Sequence, residues 1–113
     1  MEFKNDIISK LMREIIKFRD QRDWRQFHNP KDLALAISIE AAELNELFLW
    51  KKHNEVNSEQ IAEELSDVLI YSFLLAHESG VNIEKAIKNK LKANEKKYPV
   101  IKSKGNARKY TEF

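Results

Sequence analysis

The stretch Ile61-Ala62-Glu63-Glu64-Leu65-Ser66-Asp67-Val68-Leu69-Ile70-Tyr71-Ser72-Phe73-Leu74-Leu75-Ala76 decides the fold. Its apolar side chains surround most of a helical cylinder, and a helix apolar on nearly all sides is buried on nearly all sides. Upstream, Asn57 with Gln60 three residues on has the spacing of a capping box and starts this helix. It ends near Gly80. Further upstream, Asn29-Pro30 reads as a second start, Asn29 capping and Pro30 at the first helical position, where its missing N–H costs nothing. That helix runs to about Lys52. Before it, Ile7, Ile8, Leu11, Met12, Ile15 and Ile16 form one apolar stripe on a helix from about Asn5 to Arg22. Downstream, Asn82 caps a fourth helix that must stop by Tyr98, because Pro99 follows. The sequence thus predicts an all-α four-helix bundle over residues 1–98, with an aperiodic C-terminal arm over 99–113. Four helices in 113 residues offer too little cover for the third, so a homodimer or larger assembly is expected.

Composition agrees. Two Gly and two Pro are too few for an all-β chain, which needs a turn signal every few residues. No apolar run is long enough for a membrane span, the N-terminus lacks a secretory signal, and the absence of Cys excludes disulfides and thiolate metal sites. A cytoplasmic protein with no membrane partner is expected. Charge is uneven: residues 1–83 carry 10 Lys/Arg and 15 Asp/Glu, net −5, whereas residues 84–113 carry 10 and 3, net +7. A basic end is commonly a solvated surface, and here it is also a candidate for phosphate binding.

Acids stand where a core should be. Glu40 and Glu43 on the second helix, and Glu64 and Asp67 on the third, are each spaced to share a helical face beside apolar positions. A short loop, roughly His53 to Asn57, makes the two helices antiparallel neighbours, so the pairs can face one another. Two like charges ~5 Å apart repel by roughly 3 kcal/mol at an effective dielectric of ~20. Four ionised carboxylates crowded together therefore cost on the order of 15 kcal/mol before desolvation, unless some are protonated or cations sit among them. Oxygen ligands without His or Cys suit Mg²⁺, with Mn²⁺ as the alternative. A di-iron bundle would need Glu-x-x-His on two helices. The residues three before His28, His53 and His77 are Arg25, Trp50 and Leu74, so that motif is absent. Neither glycine-rich phosphate loop is present either.

Longer segments carry a resemblance. Arg22-Asp23-Trp24-Arg25-Gln26-Phe27-His28, Glu40-x-x-Glu43-Leu44-x-Glu46-Leu47-Phe48-x-Trp50-Lys51, Glu64-Leu65-Ser66-Asp67-Val68-Leu69-Ile70-Tyr71, Asn94 to Val100 and Lys109-Tyr110-Thr111 resemble the MazG-like all-α nucleoside triphosphate pyrophosphohydrolases, in their dCTP pyrophosphatase branch. The likeness implies Mg²⁺-dependent hydrolysis of a nucleoside triphosphate, dCTP or a modified dCTP, to the monophosphate and pyrophosphate. It implies that Glu40, Glu43, Glu64 and Asp67 hold the metal and carry catalysis, one of them orienting the water. It assigns phosphate binding to Lys90, Asn94 and Tyr98, with Lys97 less favoured. It assigns base binding to Trp24, His28, Trp50 and Tyr71, with Phe27 read as core. Ile15 falls where some pyrimidine-preferring relatives carry a polar ring. Dimers that pair into tetramers are implied as well. The competing functions are a non-catalytic nucleotide-sensing or partner-binding bundle and a nucleic-acid-binding module. The second of these has no recognition motif, and the acidic portion ahead of the basic end would repel a phosphate backbone, so no nucleic-acid partner is expected.

Overall fold

Each long helix opens on a residue whose side chain closes its first turn. The computed structural model describes residues 5–113. Among them, Asp6 accepts from the Ser9 backbone N–H at 3.0 Å and starts α1 (Ile7–Gln21), and Asn29 accepts from Asp32 at 2.8 Å and starts α2 (Pro30–Glu46). Asn57 accepts from Gln60 at 2.9 Å before α3 (Ser58–Glu78), and Asn82 from Lys85 at 2.9 Å before α4 (Ile83–Lys97). Such caps satisfy N–H groups that have no intrahelical partner. A 3₁₀ turn, Trp24–Phe27, joins α1 to α2. No strand occurs among the described residues.

The far ends are closed as firmly. Gly80 takes φ +66°, its N–H reaching His77 O at 3.3 Å while the Val81 N–H reaches Ala76 O at 2.8 Å. This is a Schellman motif, and glycine is favoured at its left-handed position. α2 ends six residues before the expected Lys52. From Leu47 to Leu49 each backbone N–H bonds three residues back. Trp50 then adopts φ +62°. A right-handed helix cannot contain that conformation. The α2–α3 connection is therefore residues 47–57, longer than the expected loop.

The chain forms two compact units, one ending at Val81 and one spanning Asn82–Phe113. In the first, α2 packs on α3, and α1 also packs on α3. Leu33, Val56, Leu74 and Ala76 are its buried apolar side chains. Leu35 and Ile39 of α2 and Leu65, Leu69 and Ile70 of α3 stay exposed in the single chain. The expectation that apolar residues wrap most of α3 is thus met by burial on only part of its surface.

In the second unit, α4 is followed by a single turn, α5 (Val100–Ser103), and a 3₁₀ turn at Tyr110–Glu112. The stretch read as an aperiodic arm is tied down by aromatic contacts, which favour the edge-to-face arrangement seen here. Tyr98 meets Tyr110 edge-on at 5.8 Å and Phe113 at 5.9 Å. The Lys97 ammonium lies 5.0 Å from the Tyr110 ring, within the range of a cation–π attraction.

Candidate active site

Two helices bring three acids to one point. Glu40 and Glu43 lie one turn apart on α2, and Glu64 comes from α3. One ligand oxygen from each lies within 4.8 Å of the other two. Glu43 is exposed; Glu40 and Glu64 are part-buried, and each has an Oε2 that is cut off from solvent and has no hydrogen-bond partner. A buried, unpartnered carboxylate oxygen is costly unless something positive or protic meets it.

The electrostatics follow from that crowding. Lost solvation pushes the Glu40 carboxyl up to about 7, and the neighbouring Glu43 carboxyl, then Asp67 and Glu64, add to the effect. Glu64 is raised for the same reasons, desolvation first and the charges of Glu43 and Asp67 next. Near neutrality the metal-free cluster therefore keeps a proton that a divalent cation would replace. All-oxygen donors with two buried orphan oxygens fit Mg²⁺ or Mn²⁺ and offer nothing to a soft metal.

Asp67 stands one turn beyond Glu64. It acts on the cluster through its charge, and it also lines an adjoining cavity of about 300 Å³. The aromatic part of this cavity comes from Phe18, Trp24 and Tyr71, its apolar part from Ile15, Ile70 and Leu74, and its polar part from Arg19, His28 and Asp67. Trp24 is held by local packing. Its ring meets Phe18 edge-on at 5.8 Å, and the Arg22 guanidinium lies 3.6 Å over the Phe18 ring. His28 meets Tyr71 edge-on at 6.3 Å. Burial lowers the His28 pKa and the Arg19 charge lowers it further, against an opposing pull from Glu78. The imidazole is therefore neutral at pH 7. Its Nδ1 is buried without a partner.

Of the four residues expected at the base, the structure brings Trp24, His28 and Tyr71 together in one cavity. It does not bring Trp50, which is 94% exposed beyond the end of α2. Phe27, read as core, is 63% exposed in the 3₁₀ turn; the core expectation fails because that turn carries its side chain outward. Lys90, Asn94 and Tyr98 lie on α4 and at its C-terminal cap, in the second unit, with Lys90 exposed and the other two part-buried. Sequence reading misses Arg19. It is 2% exposed and bonded through Nη1 to Glu78 at 2.6 Å and through Nε to Asp20 at 2.9 Å. The signal is present all the same: Ile8, Met12, Ile15 and Arg19 continue one stripe at helical spacing, so a cation falls on a face otherwise apolar.

Comparison with known proteins decides the family. The MazG-like family profile matches residues 35–113. This chain belongs to the MazG-like family. Within it, the chain is 42% identical over 105 residues to dCTP pyrophosphatase 1 of Mus musculus and 40% identical over 105 residues to that of Homo sapiens. Each alignment covers 86% of this chain and 62% of the relative, so the chain spans about three fifths of their length. The crystal structure of a pyrophosphatase from Archaeoglobus fulgidus superposes with a TM-score of 0.78 at 37% identity, covering 88% of this chain and 98% of that one. The all-helical MazG-like architecture expected from the sequence is thus the one observed. No helix among the described residues is long and apolar enough to cross a membrane.

Proposed function

We propose that this chain hydrolyses a nucleoside triphosphate, dCTP or a modified dCTP, to the monophosphate and pyrophosphate with Mg²⁺ as cofactor. The observation that carries this reading is the meeting of Glu40, Glu43 and Glu64 within 4.8 Å, with two orphaned buried oxygens, beside an aromatic cavity that Asp67 also lines. The similarity to dCTP pyrophosphatases supports the same substrate class.

Glu40, Glu43, Glu64 and Asp67 would hold the cation, and Mn²⁺ could take its place. When bound, the ion supplies charge neutralisation for phosphoryl oxygens and lowers the pKa of bound water. The chain's own residues do the rest. Trp24 and Tyr71 offer flat faces against which a base stacks, and neutral His28 offers a hydrogen-bonding edge. Asp67, shared by the acid cluster and the cavity, sets the distance between a held base and the phosphates. One carboxylate accepts a proton from the attacking water. Lys90, Asn94 and Tyr98 remain assigned to the phosphates, a role their cationic and hydrogen-bonding groups can serve. Trp50 remains assigned to the base in the assembled protein. The exposed apolar residues Leu35, Ile39, Leu65 and Leu69 support self-association as a dimer or a dimer of dimers.

The test is a panel of the four dNTPs with Mg²⁺, read by chromatography for monophosphate and pyrophosphate. Turnover of dCTP is expected, with its loss in Glu43→Ala and Asp67→Ala while the helical circular dichroism is kept. Binding of dCTP without any product would replace this reading with the nucleotide-sensing one.

A further inference from the structure

The cavity beside the acids holds one group that packing does not explain. Arg19 is the most thoroughly buried charged side chain among the described residues, at 2% exposure, and it lines the cavity. A guanidinium carries five N–H donors and no acceptor. Two are engaged, one by Asp20 at 2.9 Å and one by Glu78 at 2.6 Å, which leaves three without a partner among the described residues. Beside it in the same cavity, His28 Nδ1 is buried and has no partner. Buried polar groups are ordinarily satisfied, so the orphaned ring nitrogen of His28, beside a cavity-lining guanidinium with donors to spare, points to a polar ligand edge that completes both.

The complementary edge can be named. The open guanidinium N–H groups ask for acceptors, ideally two side by side, which a guanidinium engages as a fork. A neutral imidazole protonated at Nε2 leaves Nδ1 to accept. Cytosine presents O2 and N3 as adjacent acceptors and a 4-amino donor beside them. Uracil and thymine place an N3–H between two carbonyls, setting a donor against the guanidinium. Adenine offers a single acceptor beside its amine on either edge, and guanine, which does pair two acceptors at O6 and N7, has no amine next to them for His28 to accept from. We propose that Arg19 is the specificity-determining residue of the site, donating to O2 and N3 of a cytosine base while His28 Nδ1 accepts from the 4-amino group. This rests on the nucleotide reading above and adds the residue that selects the base. Arg19 thereby does two jobs: Glu78 and Asp20 fix its plane, and the base takes the donors they leave.

The experiment separates the selection from the chemistry. Calorimetry in EDTA compares dCTP, dUTP and 3-deaza-dCTP, which lacks the N3 acceptor, on the wild-type chain and on Arg19→Lys, which keeps the charge and loses the fork. The wild type is expected to bind dCTP about 10- to 100-fold more tightly than either analogue, the scale of a charge-assisted hydrogen bond. In Arg19→Lys that ratio should fall to within a few-fold of one, because dCTP binding weakens while binding of the analogues changes little. A merely structural arginine would weaken all three ligands alike and keep the ratio, which would overturn the proposal. The comparison of dCTP with 3-deaza-dCTP on the wild type needs no variant, and equal affinities there would overturn the proposal even if Arg19→Lys did not fold. If dCTP is hydrolysed but not discriminated, the selection fails and the proposed function stands. If it is discriminated in EDTA but never hydrolysed, the proposed function fails and the selection stands.

Discussion

Replacing Glu40 by Gln tests the acid cluster where burial bears on it hardest. The metal-free chain holds this carboxyl at about 7 against an ordinary 4.5. Each unit of displacement is worth about 1.4 kcal/mol, so ionised Glu40 at pH 8 destabilises the fold by about 3 kcal/mol at most. The group is part-exposed, and solvent screening reduces the realised figure to about 1 kcal/mol. The folded chain binds this proton more tightly than the unfolded chain does. Its contribution to stability is therefore fully present below about 4.5 and lost as pH rises through about 7. Glutamine keeps the shape and removes the charge. In EDTA at pH 8 the variant should melt roughly 4 °C above the wild type, and at pH 5 the two should nearly coincide. Mg²⁺ should reverse the order. At 100 times its dissociation constant it stabilises a competent site by about 2.7 kcal/mol, and the glutamine variant should gain far less. Melting curves by circular dichroism, at one protein concentration and pH 5 to 8, read all of this. A variant that melts below the wild type by the same amount at every pH, or that gains equally from Mg²⁺, would show that the carboxylates neither crowd nor share an ion.

Three further outcomes follow from the same structure. Because a divalent ion must displace the Glu40 proton, Mg²⁺ affinity should rise about tenfold between pH 6 and pH 8, with proton release visible as buffer-dependent heat in calorimetry. Asn57→Ala removes the cap of α3 and should cost about 1 kcal/mol in chemical denaturation, with catalysis unchanged at temperatures where the fold is intact. Leu69→Glu places a charge on the exposed apolar side of α3 and should shift the sedimentation coefficient toward that of a monomer; an unchanged coefficient would place the association surface elsewhere.

Helix starts are the most legible feature of the sequence. Asn29, Asn57 and Asn82 read as caps from residue type and spacing, and each accepts the backbone bond that a cap should accept. The first helix reads two residues early, from about Asn5, whereas α1 begins at Ile7 behind its Asp6 cap. The end of α2 is hidden because Leu47 to Trp50 reads as more helix; what stops it is a left-handed Trp50, a conformation no propensity favours for tryptophan. The C-terminal segment reads as aperiodic because its order comes from aromatic contacts around Tyr98, which leave no period in a sequence. At the site, helical spacing pairs the acids within each helix, but the meeting of Glu64 with Glu40 and Glu43 depends on how α2 lies on α3. Arg19 escapes notice because a lone cation near the end of an amphipathic helix is usually solvated, and only the packed structure reveals its pairing with Glu78.

With Leu33, Val56, Leu74 and Ala76 as the enclosed apolar residues of its larger unit, a solitary copy has little to hold it against unfolding. Where subunits finish one another's interiors, dilution does the work of heat, because separation and unfolding become one event. The self-association proposed above would give this chain a built-in threshold: below some abundance it would be cleared as loose chain, and above it every added molecule would prop up those already made.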